Sequence, residues 1–225
     1  PRGDRVAYGR REGERWSLYA MPLDARGRAG AEQRLCEQCG FPWSWSTDVN
    51  RLLYCILPGA QIGLLDIGGG FHGEVLRHSA HQLWQGEFSP DDEWVAFQAS
   101  SGGRNARIYV VPAKELRRSS APELWIAITD EETWNDKPRW SPDGNLLYYV
   151  SERDGFRCIW AQRLDARSKH PSGPPAEVRH FHGSRLSLGR VVIGSLEISI
   201  AADKALMNAG EVKGNIWVAE ILDDR

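Results

Sequence analysis

The chain has 225 residues, a formal net charge of -2, and 41% hydrophobic and 26% charged residues. This length and hydrophobic content allow a sizeable core, which excludes intrinsic disorder. Acidic and basic residues are mixed along the chain, which argues against binding to nucleic acid or to an anionic membrane surface. Apolar runs stop well short of the ~20 residues of a spanning helix, so we expect a soluble chain with no membrane span. No signal-peptide pattern is present, and the sequence does not determine the cellular compartment.

One motif recurs along the chain and involves several of its 10 Trp residues. It consists of an aromatic residue, Ser, Pro, Asp, Gly, two variable residues and an apolar run that ends in an aromatic residue. Gapless copies lie at 45–54, 88–97 and 140–149, and weaker copies lie at 1–8 and 200–207. A long period of this kind is typical of solenoids and propellers. It predicts five units, at residues 1–39, 40–83, 84–134, 135–189 and 190–225.

Each unit also contains further short runs rich in β-branched and aromatic residues. A second run lies at 17–23, 61–67, 107–113, 158–164 and 215–221, and a third run lies at 32–38, 74–80, 123–129 and 176–182. Such runs, bounded by Gly, Asp and Pro, are typical of strands. The strands after the motif are apolar almost without interruption, which indicates that both of their faces are covered. The sequence therefore predicts an all-β fold, a β-propeller of four-stranded antiparallel blades.

The recurrent motif has a structural explanation. Pro fixes one backbone angle of a turn, Asp can bond to its own backbone, and Gly adopts the angles that close the turn. The large aromatic residues are expected to fill space between blades: Trp45, Phe88 and Trp140 at the turn, and Trp160 and Trp217 on the later strands.

The best copy of the unit, residues 140–160, resembles the TolB-type, WD40-like (PD40) propeller repeat. Thr47 and Val49 depart from it by replacing Pro and Gly, and Asp92 replaces Gly in the following unit. The resemblance covers essentially the whole chain and implies the propeller fold. The two incomplete end units suggest an arc of a six- to eight-bladed ring.

The resemblance leaves three kinds of parent protein open, because a fold does not determine a function. One is a large bacterial signalling protein with an N-terminal serine/threonine kinase or winged-helix domain, in which case the chain would be cytoplasmic. Another is a periplasmic TolB-like scaffold, and the third is the gating propeller of a prolyl-oligopeptidase-type enzyme. The chain ends soon after its last predicted strand, which favours an N-terminal partner domain.

The sequence contains no motif that assigns an enzymatic reaction to this segment. A Gly-x-Ser-x-Gly elbow and the kinase elements are absent, and the glycines at 68–70 are not followed by the Lys of a phosphate-binding loop. We therefore assign no catalytic, cofactor-binding or metal-ligating residue. The predicted function is noncatalytic binding of a protein or a small ligand by the loop face or the central channel.

Cysteine and histidine residues were considered as ligands. Cys36 and Cys39 form a single C-x-x-C, for which incidental or locally bridged thiols are favoured over a metal or redox site. Cys158 is expected to be a small core residue. The pairs His180 with His182 and His78 with His81 are expected at exposed blade edges, because no carboxylate is evident beside them.

An acidic run at 130–132 precedes Trp134 in the longest loop between predicted strands. We favour a solvated loop. The alternative is a partner-facing surface with an exposed Trp134, since binding residues concentrate on loops held by a rigid scaffold.

Overall fold

The computed structural model of the protein describes residues 3–102, 105–117, 122–183, 185–211 and 213. The first sheet, blade 1, contains β1 (Arg5–Glu12), β2 (Arg15–Pro22) and β3 (Gln33–Cys36). Blade 2 contains β4 (Pro42–Trp45), β5 (Arg51–Ile56), β6 (Gln61–Asp66) and β7 (Phe71–Leu76). Blade 3 contains β8 (Gln82–Phe88), β9 (Trp94–Ser100), β10 (Ala106–Pro112) and β11 (Ile126–Ala127). Blade 4 contains β12 (Asn135–Trp140), β13 (Leu146–Ser151), β14 (Cys158–Arg163) and β15 (Ala176–Arg179).

Shorter elements complete the described chain. β16 (Leu186–Ser187) pairs with β19 (Gly210–Glu211), and β17 (Ile198–Ile200) pairs with β18 (Ala205–Met207). Short 3₁₀ helices span Ala113–Glu115, Pro122–Leu124, Leu188–Arg190 and Ile193–Ser195. The strand predicted at 215–221, with Trp217, lies outside the described residues. Among the residues described, no helix is both long and apolar enough to cross a membrane.

Every sheet is antiparallel, and the strands of blades 2, 3 and 4 are ordered in space as they are in the chain. The first strands of blades 2, 3 and 4 contact one another in the order β4, β8 and β12, and β12 also contacts β17. This arrangement confirms the predicted β-propeller of four-stranded antiparallel blades. We call the face formed by these first strands the channel face.

Apolar cores fill the spaces between neighbouring sheets. Leu52 packs with Leu18 of blade 1, whereas the next residue, Leu53, packs with Phe97 of blade 3. Successive side chains of a strand point to opposite faces, so a strand between two cores must be apolar at every position. The uninterrupted apolar runs that predicted strands covered on both faces are therefore explained.

The recurrent motif closes the turn between the first and second strands of blades 2, 3 and 4. In blade 2, the Ser46 hydroxyl donates to Asp48 Oδ1 at 2.6 Å and accepts the backbone N–H of Arg51 at 2.9 Å. The same Ser and Asp interaction recurs between Ser89 and Asp91 and between Ser141 and Asp143. The hydroxyl and backbone bonds lower the pKa of Asp48 to about 2. The position of Gly in the motif has a positive φ in all three turns, at Val49 (55°), Asp92 (60°) and Gly144 (68°).

Candidate functional site

A cavity of about 590 Å³ lies on the channel face, where the first strands begin. Its walls come from blades 2, 3 and 4 and from the segment before β17. The lining residues are Phe41, Pro42, Trp43, Trp84, Gln85, Gln98, Trp134, Asp136, Lys137, Ile193, Gly194 and Glu197.

Three tryptophans from three consecutive blades form much of this wall. Trp43, Trp84 and Trp134 are all half-buried, and Trp43 also packs against the apolar core between blades 2 and 3. The indole Nε1 of Trp43 is buried and has no hydrogen-bond partner in the part of the chain that the structure describes. The same is true of the Nε1 atoms of Trp45, Trp125 and Trp160, which do not line the cavity, so this feature does not distinguish the cavity.

The acidic loop was given two interpretations. Asp130, Glu131 and Glu132 are exposed, and Glu131 forms an ion pair with Arg107, which is compatible with a solvated loop. Trp134 does not project from it as an exposed anchor. Its ring turns inward to line the cavity, because the chain enters β12 one residue later.

All three first strands of the cavity wall have register shifts, or β-bulges, including that of β4 between Pro42 and Ser44. The register of β8 shifts between Trp84 and Glu87, and that of β12 shifts between Asp136 and Arg139. Inside these bulges, Gln85 has a φ of 61° and Lys137 a φ of 54°. Such angles are costly for residues other than Gly, and strained positions concentrate at binding sites. The bulges therefore mark this cavity as a candidate site.

A network of charged side chains borders the cavity and joins blades 3 and 4 to the exposed Glu197, which precedes β17. Arg139 of β12 lies 3.2 Å from Glu87 of β8 and 2.8 Å from Glu197, and its Nε donates to the carbonyl oxygen of Ile198 at 2.8 Å. The ammonium group of Lys137, which is 2% exposed, lies 3.3 Å from the other oxygen of Glu197.

Burial raises the pKa of two carboxyl groups here, Glu87 of the charged network and Asp136 of the cavity wall. It raises the pKa of Glu87 to about 7, although the Arg139 guanidinium acts in the opposite direction. Burial also raises the pKa of Asp136, whose Oδ1 accepts the backbone N–H of Lys137 at 2.7 Å. The cavity therefore combines aromatic surfaces with charges that are held in place from several sides.

Sequence reasoning missed Asp136, Lys137 and Arg139. Residues 135–139 read as Asn-Asp-Lys-Pro-Arg, which resembles a polar loop rather than a strand. Counting backwards from Trp140 in the repeat would have placed this run on the first strand of a blade. Charged residues on that strand would then have been expected to face the channel.

The C-x-x-C sequence is locally bridged, which was one of the favoured alternatives. Cys36 and Cys39 form a disulfide, and the Nε2 atom of His72 on β7 lies 3.0 Å from Cys39 Sγ. Of the two other cysteines, Cys55 is buried, and burial raises the pKa of its thiol to about 12.

The two histidine pairs have different surroundings. The Nδ1 atom of His78 accepts the backbone N–H groups of Ala80 and His81, both at 3.1 Å, so this ring caps a turn. For His180 and His182, the expected lack of a neighbouring carboxylate was wrong. Asp154 Oδ2 lies 2.9 Å from a ring nitrogen of each histidine, because the turn between β13 and β14 folds against the end of β15.

Comparisons with solved structures show the fold. A putative TolB from Agrobacterium tumefaciens is 21% identical with a TM-score of 0.60, over 79% of this chain and 61% of that chain. TolB from Acinetobacter baumannii is 15% identical with a TM-score of 0.60, over 92% of this chain and 49% of that chain. A prolyl endopeptidase is 14% identical with a TM-score of 0.56, over 92% of this chain and 30% of that chain.

This chain thus spans less than two thirds of the length of each of these proteins. No family model matches the sequence, and no curated protein matches it. The structural likeness supports a TolB-like β-propeller fold, in agreement with the resemblance of the repeat.

Proposed function

We propose that this chain is a noncatalytic β-propeller module that binds a segment of a partner protein, or a small ligand, in the channel-face cavity. The observation that carries the proposal is the convergence of Trp43, Trp84 and Trp134 from three blades on one cavity.

The size and lining of the cavity suit a ligand. Ligand pockets commonly measure about 300–1,000 Å³ and combine apolar walls with a few fixed polar groups. Here much of the wall is formed by indole rings, and the fixed polar groups include the charges of Lys137 and Glu197. An extended peptide fits this chemistry, because its side chains can stack on the rings.

The proposal is tested by screening an arrayed library of short peptides against the 225-residue chain, with binding measured by fluorescence polarisation. For the peptide that binds most tightly, Trp84→Ala should weaken binding by more than tenfold. Trp125→Ala is the matched control, because Trp125 is also half-buried but packs on Phe97 and Tyr109 away from the cavity. Equal affinities of the two variants, both checked for folding by circular dichroism, would refute the site.

We further propose that the module belongs to a larger bacterial signalling protein with an N-terminal partner domain. The support is the resemblance of the repeat, which is compatible with a parent of this kind. The parent gene tests this proposal directly. A kinase or winged-helix segment upstream of residue 1 would support it.

The prolyl endopeptidase match favours one alternative, the gating propeller of an enzyme of that type. An α/β-hydrolase segment in the parent gene would establish this alternative, whereas a signal peptide would favour a periplasmic TolB-like scaffold. Peptide binding in the cavity is compatible with each parent, so the gene and the binding assay test different parts of the proposal.

A further inference from the structure

Four side chains of the types that bind metal ions meet at one corner of blade 4, apart from the cavity. Asp154 lies in the turn between β13 and β14, and Cys158 is the first residue of β14. His180 and His182 follow β15 and are separated by the buried Phe181. Alternate residues of an extended segment point the same way, so both imidazoles face the turn.

The potential ligand atoms of these four residues all lie within 4.8 Å of one another. The two imidazole nitrogens that face each other, His180 Nδ1 and His182 Nε2, are 3.3 Å apart. Bonds of about 2.0 to 2.3 Å in a tetrahedron place ligand atoms roughly 3.3 to 3.8 Å apart. The histidine pair already has this spacing, and the 2.9 Å contacts of Asp154 would have to lengthen by only a few tenths of an ångström.

The neighbouring blade shows that the fold does not need these residues at this corner. Arg107 holds the position in blade 3 that Cys158 holds in blade 4, since each lies two residues before an aromatic residue paired across the sheet, Tyr109 with Phe97 and Trp160 with Tyr149. In blade 3, Arg107 forms an ion pair with Glu131 at this corner. The cysteine and histidines of blade 4 are therefore a particular feature of that blade.

A second layer of contacts surrounds three of the four side chains. The carboxylate of Glu177 lies 3.2 Å from His180 Nε2, the nitrogen on the side away from the cluster. The backbone N–H of Phe181 donates to Cys158 Sγ at 3.4 Å, and that of Phe156 donates to Asp154 Oδ1 at 3.1 Å. Carboxylates behind ligating histidines and N–H groups at thiolates are typical of metal sites.

We propose that Asp154, Cys158, His180 and His182 bind one Zn²⁺ ion. One sulfur, two imidazole nitrogens and one carboxylate oxygen suit zinc, and four protein ligands make a closed, structural site. On binding, Zn²⁺ replaces the thiol proton of Cys158, which is released to solvent. The ion ties the turn between β13 and β14 to the segment that follows β15.

Cobalt is the probe for this site, because Co²⁺ takes the place of zinc and reports its own ligands. The background is the 225-residue chain with Cys36→Ser and Cys39→Ser, which removes the other group of potential ligands, Cys36, Cys39 and His72. We expect one Co²⁺ per chain, with visible bands of tetrahedral cobalt and a near-ultraviolet thiolate-to-cobalt band. Added Zn²⁺ should abolish both sets of bands.

Variants assign the signal. Cys158→Ser should remove the thiolate band, whereas Cys55→Ser, at the other free buried cysteine, should keep it. His182→Gln changes a side chain that is 41% exposed, so folding is expected to be retained. It should weaken cobalt binding by more than about 100-fold, since even second-layer partners are worth roughly 10- to 100-fold. Zn²⁺ should raise the Tm of the background protein but not that of His182→Gln.

The site is overturned by any of three results. These are the absence of a thiolate band, a band that persists in Cys158→Ser, or unchanged cobalt affinity in a folded His182→Gln variant. Peptide binding in the channel-face cavity is measured separately and does not depend on this result.

Discussion

The backbone N–H of Thr47 in blade 2 donates to both carboxylate oxygens of Asp92 in blade 3, at 2.9 Å each. These residues occupy the Pro and Gly positions of the recurrent motif. In the next pair of blades the same positions hold Pro90, which has no N–H, and Gly144, which has no side chain. Two departures from the repeat are thus the two halves of one contact between blades.

This relationship predicts coupling between the two positions. Thr47→Pro should be destabilising, because it removes the donor and leaves the Asp92 carboxylate without it. In the double variant with Asp92→Gly, the two positions carry the same residues as Pro90 and Gly144. The double variant should therefore lose less unfolding free energy than the sum of the two single variants, by about 1 kcal/mol or more. Urea unfolding of the four proteins measures the coupling, and strictly additive losses would contradict it.

A second prediction concerns Val49, a β-branched residue at the Gly position of the blade 2 turn with a φ of 55°. Val49→Gly should stabilise the chain by about 1 kcal/mol, because the left-handed conformation is strained for Val and not for Gly. The reciprocal change, Gly144→Val at the same position of blade 4, should be destabilising. Thermal and urea unfolding would show the opposite signs, and a stabilising Gly144→Val would contradict the explanation.

A third prediction compares two tryptophans. Trp140 is 5% exposed and its Nε1 donates to the carbonyl oxygen of Glu87 at 3.2 Å, whereas Trp134 is half-buried at the cavity. Trp140→Ala should cost about 3 to 5 kcal/mol of unfolding free energy. Trp134→Ala should cost less but should impair peptide binding. Equal losses of stability would contradict the different packing of the two rings.

A fourth prediction concerns pH and Glu87, whose pKa burial raises from 4.5 to about 7. Between these values the folded chain holds a proton that the unfolded chain has released, so stability falls as the pH rises. The stability of the wild type relative to Glu87→Gln should therefore decrease from about pH 4.5 to 7, by on the order of 2 kcal/mol.

Asp143→Asn provides the control for this experiment. Hydrogen bonds from the Ser141 hydroxyl and from the backbone lower the pKa of Asp143. Its contribution to the stability of the fold is therefore complete above its ordinary pKa of 3.8 and is lost only at more acidic pH. Its stability difference from the wild type should be flat between pH 4.5 and 7. If the stability difference between Glu87→Gln and the wild type is also constant over this pH range, burial does not raise the pKa of Glu87.

The blades could be predicted from the sequence because their causes are local and repeated. Turn chemistry at residues 45–54, 88–97 and 140–149 and the apolar runs of the strands that follow each motif are visible without coordinates. The second departure of blade 2, Val49, could also be recognised, although the backbone angle that it adopts could not.

The cavity and the metal-ligand cluster depend on register, which the repeat does not reveal. The bulges shift β8 and β12 and bring Lys137 and Glu197 together across 60 positions of sequence. Asp154 meets His182 only because the turn after β13 and the end of β15 lie at the same end of blade 4. Proximity of this kind follows from strand pairing and not from spacing along the chain.

The central claim, a ligand site on the channel face, is tested most directly by ¹⁹F NMR of the chain labelled with fluorotryptophan. Each of the 10 tryptophans gives one signal, which single Trp→Phe variants assign. On addition of the tightest peptide from the array, the signals of Trp43, Trp84 and Trp134 should shift while that of Trp125 stays in place. Shifts at Trp125 with the three cavity signals unmoved, or an array with no binding peptide, would contradict the claim.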